Sequence, residues 1–372
     1  MNCEIEFRAV GDASRAGDAI LVRYGQAQAY ELMIIDGGNI DSGKELVDHV
    51  HEQFGQSAVI SHLVVTHADA DHASGVREIL DGLPVRKLWI HMPWAVAKAS
   101  LPYFKDKRFT EEGLRDKLAA EYDIVAAIVA SASDKRIPIA MPYMGAQIGP
   151  FVVLSPSQQM YEMLVPQFDR TPEPDQEALE AAGWWLAAPK QNPAFALLQK
   201  AADSIQNWFT ESWTKERLRD GGHTSASNES SVVLYGAFPS AQPVLLTGDA
   251  GIVALTAAAN YAHQTNRPLQ QFRFAQIPHH GSRRNVGPSI LNRLLGPIQT
   301  EGTASRFTAF VSAPKDDSTH PRQMVLNAFM RRGGNVVGTQ GTAKVYPGGF
   351  PNRPGYSAAV SMQFVARVED YD

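Results

Sequence analysis

In the stretch Val64-Val65-Thr66-His67-Ala68-Asp69-Ala70-Asp71-His72-Ala73, two histidines and two aspartates fall inside six positions, straight after an apolar β-branched run. A strand delivers such a loop to its own end, where the ligand-type side chains converge on one point. Carboxylates held that close repel one another unless a positive charge sits among them. A pair of metal ions answers that requirement. It also constrains the fold, because other strand ends must bring the remaining ligands to the same place.

His67 and Asp69 stand two apart, while Asp71 and His72 are adjacent, so a turning loop can send the first pair to one metal and the second pair to another. Neutral imidazole with carboxylate suits zinc, iron or manganese. Cys3 is the only cysteine, which excludes thiolate sites and an intrachain disulfide.

Residues 3–10 alternate, with Ile5, Phe7 and Ala9 on one side and Glu4, Glu6 and Arg8 on the other, as in a half-buried strand. Strands over 19–24 and 30–35 follow, packed antiparallel, and the second stops at Asp36-Gly37-Gly38. Asp36 reads either as a turn aspartate or as a carboxylate that orients the metal-binding loop from behind. A helix capped by Asp41 or Ser42 runs to about Phe54, and a strand over 63–66 enters the histidine loop. A short helix to about Leu80 and a strand over 85–91 continue the β–α alternation of layered α/β folds.

Helices are expected at 111–132 and within 176–219, with a strand at 151–154 between them. The second helical part carries Trp184, Trp185, Trp208 and Trp213, which read as packing of an inserted segment or as a lid. Strands return at 231–235, 244–247, 272–277 and 307–312, then near Val336 and at 359–365, with a helix from near Pro321. The strand at 244–247 ends in Gly248-Asp249, and that at 272–277 ends in Pro278-His279-His280-Gly281-Ser282. Asp249 is placed to bridge two metals ~3.5–4 Å apart. Adjacent side chains diverge, so one of His279 and His280 binds metal and the other faces the substrate.

The 372 residues are 44% hydrophobic and 20% charged, ample for a large core, and the net charge is -5. From Arg267 onward, 13 Lys+Arg stand against 6 Asp+Glu, a balance of +7 against -12 for the rest. Such asymmetry marks either an anionic ligand or a solvated surface. No apolar run approaches the ~18 residues of a membrane span and the N-terminus lacks signal-peptide character, so a cytoplasmic protein without a membrane partner is expected. The oligomeric state leaves no trace in the sequence.

The stretches Thr66-His67-Ala68-Asp69-Ala70-Asp71-His72, Asn228-Glu229-Ser230-Ser231-Val232-Val233-Leu234, Leu245-Leu246-Thr247-Gly248-Asp249 and His279-His280-Gly281-Ser282 occur in an order and at intervals that resemble a metallo-β-lactamase-fold hydrolase. The closest likeness is to the branch containing the nuclease-like domain of the competence DNA-uptake protein ComEC. That resemblance implies an α/β fold, an αββα sandwich with a dinuclear site at one sheet edge, as a single domain over 1–372 with a helical Trp-rich insertion at about 157–222. By position it implies His67 and Asp69 on one metal, Asp71 and His72 on the other, Asp249 between them, His223 as a further ligand and His280 rather than His279 from the last pair. Asp69 stands where the wider family has histidine, which makes manganese or magnesium plausible beside zinc.

His279, with His320 and Asp71, is then expected to serve catalysis, while Arg283, Arg284 and Lys315 contact an anionic substrate. Ser318 or Thr319 and Pro321 alternatively form a helix start there. Water activated by two divalent ions would hydrolyse a phosphodiester of a nucleic acid or nucleotide. The rival expectations are hydrolysis of a carboxylic ester, lactone, thioester or amide at the same site, and a catalytically silent binding protein.

Overall fold

The computed structural model describes residues 1–12, 16–184, 186, 208–238 and 242–369. Among them, two seven-stranded mixed sheets form. The first runs in the order Lys344–Tyr346, Asn2–Phe7, Ile20–Gln26, Ala29–Ile35, Ile60–Val64, Leu88–Trp89, Ile139–Ala140. The second runs Gly334–Gly338, Phe307–Val311, Phe274–Gln276, Val244–Leu246, Val233–Gly236, Phe151–Ser155, Gln147–Ile148. Early pairs are antiparallel, as expected, but neighbours from Ala29–Ile35 to Ile139–Ala140 are parallel, and so are those from Val244–Leu246 to Gly334–Gly338. Parallel neighbours all end on one edge, which is how separate strand tips come to share a site.

The period-two pattern splits each strand between two cores. Ile5, Phe7, Val22, Ile35 and Val64 meet Val153, Leu234, Leu246, Phe274 and Phe310 between the sheets. Phe7 lies with its ring centroid 6.0 Å from that of Phe274 and 5.6 Å from that of Phe310. The alternate residues, among them Leu32, Ile34, Leu63, Leu245, Ala275 and Ala309, face outward to helix residues such as Leu46, Val50, Ile79, Leu255, Leu326 and Phe329. This is the expected αββα sandwich.

Several local expectations are corrected. The Glu4 and Glu6 side of the first strand is not solvated; both residues are buried, at 2% and 0% exposure. Arg23 lies 2.9 Å from Glu4, His49 Nε2 lies 3.0 Å from Glu6, and Arg353 pairs with both. The helix Ile40–Phe54 is capped by Asn39, whose Oδ1 accepts from the Ser42 N–H at 2.9 Å, rather than by Asp41 or Ser42. The helix expected over 111–132 is two, Glu111–Glu121 and Asp123–Asp134, because Tyr122 leaves helical geometry (φ -104°, ψ 49°) with its ring buried beside Phe168. Residues 359–365 form no strand; Val360 is 85% exposed, and Met362 N–H donates to Val336 O at the sheet edge.

Within the expected insertion, helices Gln158–Leu164 and Gln176–Ala181 form, but Trp208 begins a strand, Trp208–Thr210, paired with Arg367–Glu369. Trp184 packs on the outer core, and the Trp213 indole N–H donates to Gln299 O at 2.7 Å. Trp185 lies outside the described residues. Among the described residues no helix is long and apolar enough to cross a membrane.

Part of the basic excess from Arg267 onward is spent inside the molecule. Arg331 is fully buried against Glu211, Arg332 takes both oxygens of Glu216 at 2.7 and 3.0 Å, and Arg353 serves Glu4 and Glu6. The acids all precede their arginines by more than 100 positions, so a charge split along the sequence closes in space.

Candidate metal centre

The Ile60–Val64 strand runs out through Val65 and Thr66 into His67, and the chain then turns into the short helix Ala70–Ala73, which carries Asp71 and His72. Asp36, at the end of the neighbouring strand, is wholly buried and receives three hydrogen bonds. They come from the Thr66 N–H (2.7 Å), the Thr66 hydroxyl (2.6 Å) and His72 Nδ1–H (2.8 Å). With its proton given to Asp36, the Thr66 hydroxyl can only accept from His67 Nδ1–H, 3.0 Å away. One carboxylate therefore fixes the ring orientation of both histidines and turns each Nε2 outward. The Asp36 turn and the histidine loop are pressed together: Gly37 N–H donates to His72 O, Gly75 N–H donates to Gly38 O, and a Cβ on Gly75 would lie 2.1 Å from Gly37 O.

The other histidines are fixed in the same sense. His280 Nδ1–H donates to Ser312 O at 2.9 Å. Asn285 gives its amide N–H to Asp249 O, leaving its Oδ1 to accept from His279 Nδ1–H at 2.8 Å. That tautomer leaves the 3.2 Å approach of Asn228 Nδ2 to the same nitrogen without a hydrogen bond; the Asn228 amide donates instead to Thr224 Oγ1 at 2.7 Å. Asp36, His279 and His280 have φ of 57°, 45° and 54°, a left-handed backbone costing a non-glycine residue about 1–3 kcal/mol and sustained only where the surroundings impose it.

All four Nε2 atoms close on one carboxylate oxygen. Asp249 Oδ2 lies 3.4 Å from His72, 3.6 Å from His279, 3.8 Å from His280 and 3.9 Å from His67. Nε2 of His67, His72 and His280 and Oδ1 of Asp249 are buried without a hydrogen-bond partner. Buried polar atoms without a partner are rare and expensive. A cation among them satisfies all of these atoms at once, so the residues fit a divalent metal centre. Three overlapping groups, all sharing His72, bring ligand atoms within 4.8 Å of one another: His67, His72 and Asp249; Asp71, His72 and His280; and Asp18, Asp36 and His72.

The electrostatics carry the same strain. Burial would raise the Asp249 pKa, but the charges of His72, His279 and His280 hold it well below the ordinary carboxylate value. Burial would lower His72, yet Asp249 and Asp36 keep it well above an ordinary histidine. Burial pushes His280 down to about 3 and the nearby Asp18 carboxyl up to about 7.

The remaining expected site residues are placed unevenly. Asp69 Oδ2 is 3.6 Å from His67 Nε2, and its Oδ1 accepts from the Ser227 hydroxyl at 2.5 Å. His320 stacks on His279, with ring centroids 6.3 Å apart, and its Nδ1 lies 3.4 Å from Asp317 Oδ2. His223 is exposed in the loop before the helix Ala226–Glu229 and joins none of the metal-capable groups among the described residues. Arg283 is buried, Arg284 is exposed beside Gly222, and Lys315 is exposed with its stem against Gly341. Thr66, Asn285, Ser227, Asp18, Gln276 and Asp317 escaped sequence reasoning as supports of the site. Each acts through a partner distant in sequence or through a hydroxyl or amide common in ordinary turns.

Replacing Asp36 by asparagine leaves the shape but removes the acceptor that orients His72 and, through Thr66, His67. Metal affinity is expected to fall about 10–100-fold, measured by competition with a chromophoric chelator.

No family model and no curated protein matches the chain. Among solved structures, an unliganded yeast PDE1 is similar at 13% identity, covering 92% of this chain and 99% of that one, with a TM-score of 0.41. A long form RNase Z from yeast is similar at 9% identity over 93% of this chain and 41% of that one, with a TM-score of 0.37. A metallo-β-lactamase from Hirschia baltica is similar at 11% identity over 79% of this chain and 91% of that one, with a TM-score of 0.32. Likenesses this distant carry nothing about chemistry; the site geometry does.

Proposed function

We propose that this protein is a metal-dependent hydrolase, acting on phosphodiester bonds, whose cations are held by His67, His72, His280, Asp71 and Asp249, with Asp69 at the exposed side. One observation carries the metal assignment: four imidazoles of fixed orientation aim their Nε2 atoms at a single carboxylate oxygen. When bound, divalent cations supply Lewis-acid activation of water and stabilise negative charge on the substrate. Zinc and manganese both suit this mixture of imidazole and carboxylate.

The chain's own groups divide the remaining work. Asp36 and Thr66 hold two imidazoles rigid, and Ser312 and Asn285 hold the other two. His279 and His320 keep 29% side-chain exposure each and form the open side of the cluster. His320, backed by Asp317, is the group placed to give a proton to a leaving oxygen. The phosphodiester class rests on the four sequence stretches and on the carboxylate-rich donor set, and exposed Arg284 is the side chain available for a phosphate.

A substrate panel with metal-loaded protein tests the assignment. Bis-p-nitrophenyl phosphate or DNA should be cleaved, and cleavage should stop with a chelator. Turnover of esters, lactones or thioesters with both phosphodiesters intact would replace this proposal with the acyl-hydrolase alternative.

A further inference from the structure

Gln276 ends the Phe274–Gln276 strand and is buried between the sheets. Its Oε1 accepts from the Thr247 N–H at 2.9 Å and the Gly248 N–H at 3.1 Å, the two residues just before Asp249. Its amide N–H donates to Asp18 Oδ2 at 2.7 Å, two residues ahead of the Ile20–Gln26 strand in the other sheet. Asp18 is anchored in turn, because the Ser312 hydroxyl donates to Gly17 O at 2.6 Å while Ser312 O receives His280 Nδ1–H. Gly248 has φ 50°, and a Cβ there would lie 3.1 Å from the Thr66 Cβ, so the turn has little room to shift toward the His67 loop. A single side-chain amide thus joins the turn that presents Asp249 to the opposite sheet.

We propose that Gln276 is a positioning residue for Asp249: it locks the Thr247–Gly248 turn and, through Asp18, sets that turn by reference to both sheets. Its effect on metal affinity rests on the metal-centre assignment above; its effect on the turn does not. Without it, two buried N–H groups lose their acceptor and the carboxylate loses its fixed place among the imidazoles.

Three variants decide the matter: Gln276→Met, Gln276→Glu, and Gln276→Glu combined with Asp18→Asn. The first removes all three side-chain hydrogen bonds, and the second replaces the amide that donates to Asp18 with a carboxylate oxygen. The pair restores the link with donor and acceptor exchanged, and it keeps an oxygen for Thr247 and Gly248. Hydrogen–deuterium exchange of metal-free protein should show the Thr247 and Gly248 amides exchanging about tenfold faster in Gln276→Met, with strand Phe307–Val311 unchanged. Co²⁺ affinity should fall about 10–100-fold in both single variants, with an altered Co²⁺ absorption band, and both should recover in the pair. Unchanged exchange at the two amides, or a uniform rise across the whole sheet that the pair does not reverse, would overturn the proposal. If the unaltered protein bound no Co²⁺, the metal assignment would fail, and the exchange data would still judge Gln276.

Discussion

Replacing Asp249 by asparagine is expected to abolish cation binding and lower hydrolysis on the order of 10³-fold or more. A metal pair contributes several kcal/mol of transition-state stabilisation, and each 1.36 kcal/mol is a factor of ten. The substitution is isosteric, and its backbone carbonyl still receives the Asn285 amide. What disappears is the negative charge that four imidazole nitrogens surround at 3.4–3.9 Å. A thermal readout separates this from misfolding. At a metal concentration of 100 Kd the parent protein gains about 2.7 kcal/mol from ligand binding, whereas Asp249→Asn should gain nothing while melting cooperatively without metal. A metal-dependent rise in Tm that survives in the variant would show that the cations sit elsewhere.

The largest stability effect is expected far from that site. Arg331→Met should destabilise the fold by about 3–5 kcal/mol in urea unfolding, because removing one partner of a buried ion pair strands the other. Arg331 and Glu211 are both without exposed side-chain surface, 3.1 Å apart, and Arg331 also donates to Ser212 O and Trp213 O. Combining Arg331→Met with Glu211→Gln should recover most of the loss, since no charge is then left buried. Failure of the double variant to recover would assign the effect to the lost carbonyl contacts instead.

The same pair shows how far the sequence could be read. Thirteen basic residues from Arg267 onward suggested an anionic ligand as readily as a surface. Arg331, Arg332 and Arg353 instead neutralise acids far upstream, and nothing local to either partner announces the other. Apolar runs ending in His67, Asp249 and His280 were legible because ligand-type residues at strand tips are unusual. Strand order, and hence the parallel edges that gather those tips, was not legible, since register depends on pairing across the whole chain. Gln276 and Asp18 stayed hidden for that reason: 258 positions separate the two ends of one hydrogen bond. The alternation of residues 3–10 correctly predicted a strand but misjudged its outer face, which His49, Arg353 and Tyr356 cover.

The most direct test is an anomalous-scattering map of crystals grown from protein purified without chelators, recorded on both sides of the zinc and manganese edges. Peaks are expected among Asp249 Oδ2 and the Nε2 atoms of His67, His72 and His280. A map with no peak in that cluster, from protein shown to carry stoichiometric metal, would contradict the assignment at its centre.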